Sequence, residues 1–211
     1  MKRLILLILL ILSALLLFPA TKISIYGDYN RKYPNEDLLT LDGNAFIKKG
    51  NEIEIYTDHA TITGNNGDYH TVDASGNTFV VFESGSATSN YLNYDLDTSK
   101  GTLNHVSKVL LNKNGNNIKM SNISTLDIDS NDKIYIGTRS QDQQVYIEYK
   151  DDLNINSDYF EYYENEQKLY LKGNIYLNDL KNNRIIMGDE LNYFLDDDSF
   201  NGKQITVQIN L

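Results

Sequence analysis

The sequence predicts an all-β fold, an antiparallel sandwich or jelly roll of repeated strand-turn-strand units, on three observations. A short phrase recurs as Ser89-Asn-Tyr-Leu-Asn-Tyr94, Ser157-Asp-Tyr-Phe-Glu-Tyr162 and Gly188-Asp-Glu-Leu-Asn-Tyr193. Each copy places an apolar residue and a Tyr two apart and leads into an acidic turn and a Gly. Repetition at this spacing marks one supersecondary unit stacked on its copies, and the internal period of two makes that unit a strand. Apolar residues alternate in the same way along most of the chain, and no i, i+3, i+4, i+7 pattern persists beyond the N-terminus. From Leu38 onward there is no proline, which leaves every ladder donor in place.

The elements follow in order. Leu39 and Leu41 lead to Gly43-Asn44 and then Ala45-Phe46-Ile47. After the Lys48-Lys49-Gly50-Asn51 turn, Ile53 and Ile55 share one face, and Ala60 and Ile62 share a face of the next strand. Gly76-Asn77 opens a unit through Phe79 to Phe82, followed by the first phrase with Leu92 and Tyr94. Strands are expected at Val106 to Leu111, at Ile118 and Met120, at Leu126 and Ile128, at Ile134 and Ile136, and at Val145, Ile147 and Tyr149. The second phrase offers Phe160 and Tyr162, then Leu169 and Leu171. Gly173-Asn174 opens the last unit, with Ile175, Leu177, Ile185, Met187, Leu191 and Tyr193, and Ile205, Val207 and Ile209 form a final strand. Asn and Gly at the turns suit hairpins that need positive φ.

Composition narrows the function. The 211 residues suffice for one β domain. Net charge is -10, and without Lys2 and Arg3 the remainder carries -12. Such a surface repels nucleic acid, whose binding is dominated by cationic contacts to phosphate. With no cysteine there is neither a disulfide framework nor a thiolate zinc site, and no cysteine after the leader to carry a lipid. Sixteen tyrosines and no tryptophan fit strands that pair an apolar body with a polar tip.

The N-terminus is a leader. Met1-Lys-Arg3 is basic, and Leu4 to Phe18 is apolar except for Ser13. As a helix that run is ~22 Å long, short of the ~30 Å hydrocarbon core and near signal-peptide length. Phe18 sits where a cut after Ala20 prefers a small residue, so residues 1–20 are expected to be a signal peptide or a short N-terminal membrane anchor, helical in either case. The basic end stays cytoplasmic and the chain beyond is exported. Residues 21–37 are expected to be a linker, and 38–211 the β domain.

No stretch carries catalytic chemistry. Asp127-Ile-Asp129-Ser-Asn131 has the spacing of a calcium loop, but Asp132 replaces its glycine and Thr138 its bidentate glutamate. It reads as an acidic hairpin turn. Asp95 with Asp97, and Asp196 to Asp198, could be glycosidase carboxylates, yet they occupy equivalent turns in two repeats. His59, His70 and His105 lack metal spacing. The chain is therefore expected to be no enzyme, with no cofactor and no metal.

With Gly43-Asn44, Gly76-Asn77 and Gly173-Asn174 each opening a β unit, and with "SDYFEYYENEQKLYLKGNIYLND" followed by "IIMGDELNYFLDDDSFNG", the chain resembles the OstA/LptA/LptC superfamily of lipopolysaccharide-transport proteins over residues 38 to 209. The resemblance implies an open, twisted antiparallel β-jelly roll whose apolar groove holds lipid A acyl chains. It also implies edge-strand pairing with other jelly-roll members of a bridge across the periplasm, and an upstream inner-membrane ABC transporter that drives the lipid. It places the protein in the periplasm, either soluble after signal cleavage or anchored by residues 4–20, in outer-membrane biogenesis. Ile53, Ile55, Leu92, Phe160, Leu171, Ile175, Ile185, Met187 and Leu191 are the candidate groove residues. The alternatives are a ligand-free β-scaffold of the envelope and a carbohydrate-binding module using tyrosines and turn carboxylates.

Overall fold

A computed structural model describes residues 22–209 except 34–35, 67 and 114–115. The predicted N-terminal helix lies outside the described residues. Within them the chain forms eighteen strands: β1 (Ile23–Tyr26), β2 (Tyr29–Tyr33), β3 (Leu38–Lys49), β4 (Ile53–Asn65), β5 (Asp68–Phe82), β6 (Gly85–Asp95), β7 (Lys100–Val106), β8 (Lys108–Lys113), β9 (Asn116–Ser121), β10 (Ile123–Asp129), β11 (Ile134–Arg139), β12 (Val145–Tyr149), β13 (Leu153–Ser157), β14 (Tyr159–Tyr163), β15 (Lys168–Asp179), β16 (Arg184–Phe194), β17 (Ser199–Lys203) and β18 (Thr206–Ile209). Every pairing is antiparallel.

Six long strands, β3 to β6 with β15 and β16, bend across two layers. The first layer runs β1, the second half of β3, the first of β4, the second of β5, the first of β6, β8, β9, β12, β13, the second half of β15, the first of β16 and β18. The second layer runs β2, the opposite halves of β3 to β6, β7, β10, β11, β14, the opposite halves of β15 and β16, and β17. Twelve strands stacked at ~4.8 Å make each layer roughly 53 Å long. Both ends are open: β1 and β2 pair only with β3, and β17 and β18 only with β16, among the described residues.

Two expectations are corrected here. Part of the stretch expected to be a linker, residues 21–37, forms β1 and β2 and caps the sheet. The three Gly-Asn pairs do not open strands but sit in the middle of β3, β5 and β15, where the register shifts. Both residues of two pairs, Gly43 with Asn44 and Gly173 with Asn174, have positive φ, and in the third pair Gly76 does. Such a bulge bends a strand sharply, and the bend carries it from one layer to the other. An aspartate holds each bend. Asn44 Nδ2 donates to Asp28 Oδ2 at 2.7 Å, Asn77 Nδ2 to Asp58 Oδ2 at 3.0 Å, and Asn174 Nδ2 to Asp158 Oδ2 at 2.7 Å.

Candidate functional site

The two layers face one another across an apolar interior. Ile53, Ile55, Leu92, Phe160, Leu171, Ile175 and Leu191 all lie there, each 3% exposed or less. Phe82 of the first layer meets Tyr135 of the second at 5.5 Å between ring centroids. Gly137 is paired opposite Phe160, and a Cβ on it would fall on the Phe160 ring. Ser157 also faces this interior, and its hydroxyl has no hydrogen-bond partner in the structure.

Ile185 and Met187 do not face the interior. Both are half-buried, and Ile186 between them is fully buried opposite Leu177. The cause is the bend in β15 and β16: Lys172 pairs with Glu190 but Ile175 with Gly188, so two successive residues of β16, Asp189 and Glu190, point outward. Alternation resumes one step out of phase. The same shift separates Ile53 and Ile55 from Ala60 and Ile62 in β4, at Asp58-His59.

Along the side opposite the bends, four buried tyrosines line the seam where the layers meet without a shared strand: Tyr94, Tyr135, Tyr162 and Tyr193. Tyr94, Tyr162 and Tyr193 end the three copies of the repeated phrase. Tyr94 Oη donates to Glu52 Oε1 at 2.8 Å, and Lys49 Nζ lies 2.7 Å from Glu52 Oε2. Tyr193 Oη donates to Asp179 Oδ2 at 3.3 Å, while Arg184 Nε sits 2.7 Å from the same oxygen and its Nη2 donates to the Asp198 carbonyl at 2.6 Å. Gln167 Nε2 donates to Tyr162 Oη at 2.9 Å, and Tyr135 Oη to Glu164 Oε2 at 3.5 Å. Burial pushes all four phenols well above the usual tyrosine range. Burial pushes the Glu52 carboxyl up, but Lys49, Ser99 and Tyr94 outweigh it and leave Glu52 below its ordinary value. Asp179 is likewise pushed up by burial and brought below its ordinary value by Asn182 and Arg184.

The ends differ from the seam. Val207 stands opposite buried Ile186, and Ile209 opposite Arg184, so both carry the inner face onto β18. They are 43% and 67% exposed. At the other end Ile25 stands opposite buried Ile47, while Asn30 and Lys32 of β2 stand opposite Leu41 and Leu39. The interior thus ends in an apolar mouth at β18 and a mixed mouth at β1 and β2.

The turn carboxylates serve local structure. Asp95 Oδ1 accepts the backbone N–H groups of Asp97 and Thr98, each at 2.8 Å. Asp129 Oδ1 accepts those of Asn131 and Asp132, and Lys100 Nζ lies 2.7 Å from its other oxygen. An ammonium occupies the flank where a calcium loop would turn its carboxylates. His59 Nδ1 is 2.8 Å from Asp42 Oδ1 on the surface.

Fold and interior define a two-layer, open-ended antiparallel β-jelly roll with an apolar core. No protein-family model matches the sequence, and no curated protein sequence matches it. Among solved structures it is similar to LptH, the LptA-homologous periplasmic component of the conserved lipopolysaccharide transport device from Pseudomonas aeruginosa, with 13% identity and a TM-score of 0.48 over 61% of this chain and 94% of that one.

Proposed function

We propose that the chain is a periplasmic carrier of the OstA/LptA/LptC kind, holding the acyl chains of lipopolysaccharide between its layers and passing them toward the outer membrane. One observation carries this reading: the apolar interior is continuous from end to end and surfaces at Val207 and Ile209. A buried CH₂ is worth ~0.8 kcal/mol, so several acyl chains need a trough of this length. In this reading the layers part at the seam, which is crossed by hydrogen bonds worth ~1 kcal/mol net each and by partly exposed ion pairs such as Lys133 with Glu83 and Lys181 with Asp198 worth no more, while the bends hold as a hinge. The edges of β1, β2, β17 and β18, unpaired among the described residues, offer donors and acceptors to further jelly rolls, with an inner-membrane ABC transporter supplying the drive. The reading involves no catalysis. The leader leaves two forms, soluble or anchored.

A second reading has its own observation. Away from the two mouths the interior is already filled, its buried apolar side chains each 5% exposed or less, as a ligand-free scaffold of the envelope would be. A carbohydrate-binding module would offer coplanar tyrosines beside free carboxylates. Instead Tyr159 and Tyr170 meet edge-on at 74°, and Tyr159 Oη donates to Glu161 Oε1 at 2.6 Å.

Photocrosslinking of the full chain to purified lipopolysaccharide separates the first two. Photoreactive residues replace Leu92, Phe160, Ile186 and Val207, with Asn183 and Asp197 as turn controls. Crosslinks at the first four alone support the carrier; none at any of them, in a folded chain, leaves the scaffold.

A further inference from the structure

The outer face of the first layer carries an aromatic row that the interior does not use. Tyr26 of β1 stands opposite Phe46 of β3, Phe46 opposite Tyr56 of β4, and Tyr56 opposite Phe79 of β5. The rings follow one another across four strands, with centroids 4.9 Å apart from Phe46 to Tyr56 and 6.2 Å from Tyr56 to Phe79. Tyr26 is 58% exposed, Tyr56 42% and Phe79 41%. Polar side chains beside the row are matched: Lys48 Nζ lies 2.6 Å from Glu54 Oε1, and Tyr56 Oη donates to Glu54 Oε2 at 2.9 Å. What remains exposed there is aromatic carbon with phenol oxygens at its margin.

We propose that this row is a membrane-contact surface, resting on the headgroup region of the phospholipid bilayer that holds the leader. The inference depends on the leader being membrane-embedded, and is separate from what the interior carries. Three observations favour a bilayer over a protein partner. The row begins on β1, the first strand after the apolar run Leu4 to Phe18. Tyr26 lies eight residues beyond Phe18, and an extended chain of that length reaches at most ~29 Å, so the row cannot stand far from the point where the run leaves the hydrocarbon. Tyrosine, which supplies two of the four rings, is also enriched at membrane–water interfaces, where the ring sits among headgroups and the hydroxyl stays wet. The row crosses the strands, so contact lays β1 and β3 to β5 along the surface and sets the mouth at β1 and β2 at bilayer level. Sheet twist of roughly 20–25° per strand turns the later strands away and leaves the mouth at β18 free.

Because the chain contains no tryptophan, a single Tyr56→Trp substitution reports on the row alone. Tyr176→Trp, at 41% exposure on the outer face of the same layer near its far end, is the matched control. The full chain is reconstituted into phosphatidylethanolamine/phosphatidylglycerol vesicles carrying phospholipids brominated at the glycerol end of the acyl chains. The expected result is several-fold stronger quenching of the indole at 56 than at 176, with acrylamide reaching 176 freely and 56 poorly. Adding Tyr26→Ser and Phe79→Ser to Tyr56→Trp should abolish the lipid quenching. Equal quenching at both positions, or a chain that does not float with the vesicles, overturns the proposal. So does shielding of 56 from acrylamide without lipid quenching, which would mean that protein covers the row. None of these results bears on lipopolysaccharide crosslinking inside the sandwich, so the two readings fail independently.

Discussion

The Tyr94 hydroxyl donates to Glu52 at 2.8 Å, and this contact ties the second layer to the first across their open side. Tyr94 is the penultimate residue of β6, and Glu52 lies in the turn between β3 and β4, 42 residues earlier. Tyr94→Phe keeps the ring in the core and removes only the donor. Glu52 keeps Lys49, so the expected loss is ~1 kcal/mol, seen as a lower urea midpoint at unchanged slope. If the seam is the side that opens, the same variant should also take up lipopolysaccharide faster. An unchanged midpoint would show that the Tyr94 hydroxyl adds nothing to what the ring packing and the other seam contacts already provide.

Stability should fall at both extremes of pH, through different groups. Glu52 and Asp179 have folded pKa values below their ordinary ones. Their contribution is complete above the ordinary carboxylate range near ~4 and is lost as pH drops through the lower folded values. The gap in urea midpoint between the parent and Glu52→Gln should therefore be wide at neutral pH and close below ~4. The seam phenols shift upward. Their contribution is complete below ~10, and it is lost as pH rises toward the folded values, because the unfolded chain ionises first. Tyrosinate absorbance should rise first for exposed tyrosines and last, together with unfolding, for Tyr94, Tyr135, Tyr162 and Tyr193. A single early rise would contradict their burial.

Gly76 tests the bends. Its φ is +97°, and a Cβ there would stand 2.5 Å from Asp58 Oδ2. Gly76→Ala meets strain and collision together, and ~1–3 kcal/mol is the expected cost. Asn77→Ala loses only the side-chain bond to Asp58, since the backbone N–H of residue 77 still donates to that carboxylate at 3.0 Å, so its cost should be smaller. Thermal unfolding of the two variants would decide, and equal costs would mean that the carboxylate bond, and not the turn of the chain, sets the bend.

Much of this was legible in the sequence. The repeated phrase is a real unit: its closing tyrosines, Tyr94, Tyr162 and Tyr193, all reach the seam. Alternation found Ile53, Ile55, Leu92 and Phe160 because each sits in a stretch of uninterrupted period two. It failed where a strand changes layer. Asp58-His59 and Asp189-Glu190 are adjacent polar pairs inside otherwise alternating strands, and that was the available signal for a change of phase. The aspartates that hold the bends precede the asparagines they bind by 16 to 19 residues, too far for a local pattern. The row of Tyr26, Phe46, Tyr56 and Phe79 exists only once the register of four strands is known.

Gly137 and Phe160 are directly opposite on β11 and β14, and the absent side chain of one makes room for the ring of the other. Gly137→Ala should overpack the interior by ~1–3 kcal/mol. Phe160→Leu alone leaves a smaller side chain beside an empty face and should also destabilise. In combination the two should cost less than their sum, because the alanine methyl fills space that the ring vacates. A double-mutant cycle in urea measures this coupling, and strict additivity would show that the ring moves aside freely. That result would matter for the carrier reading, since an interior able to shift Phe160 without cost could admit an acyl chain at that layer without parting the seam.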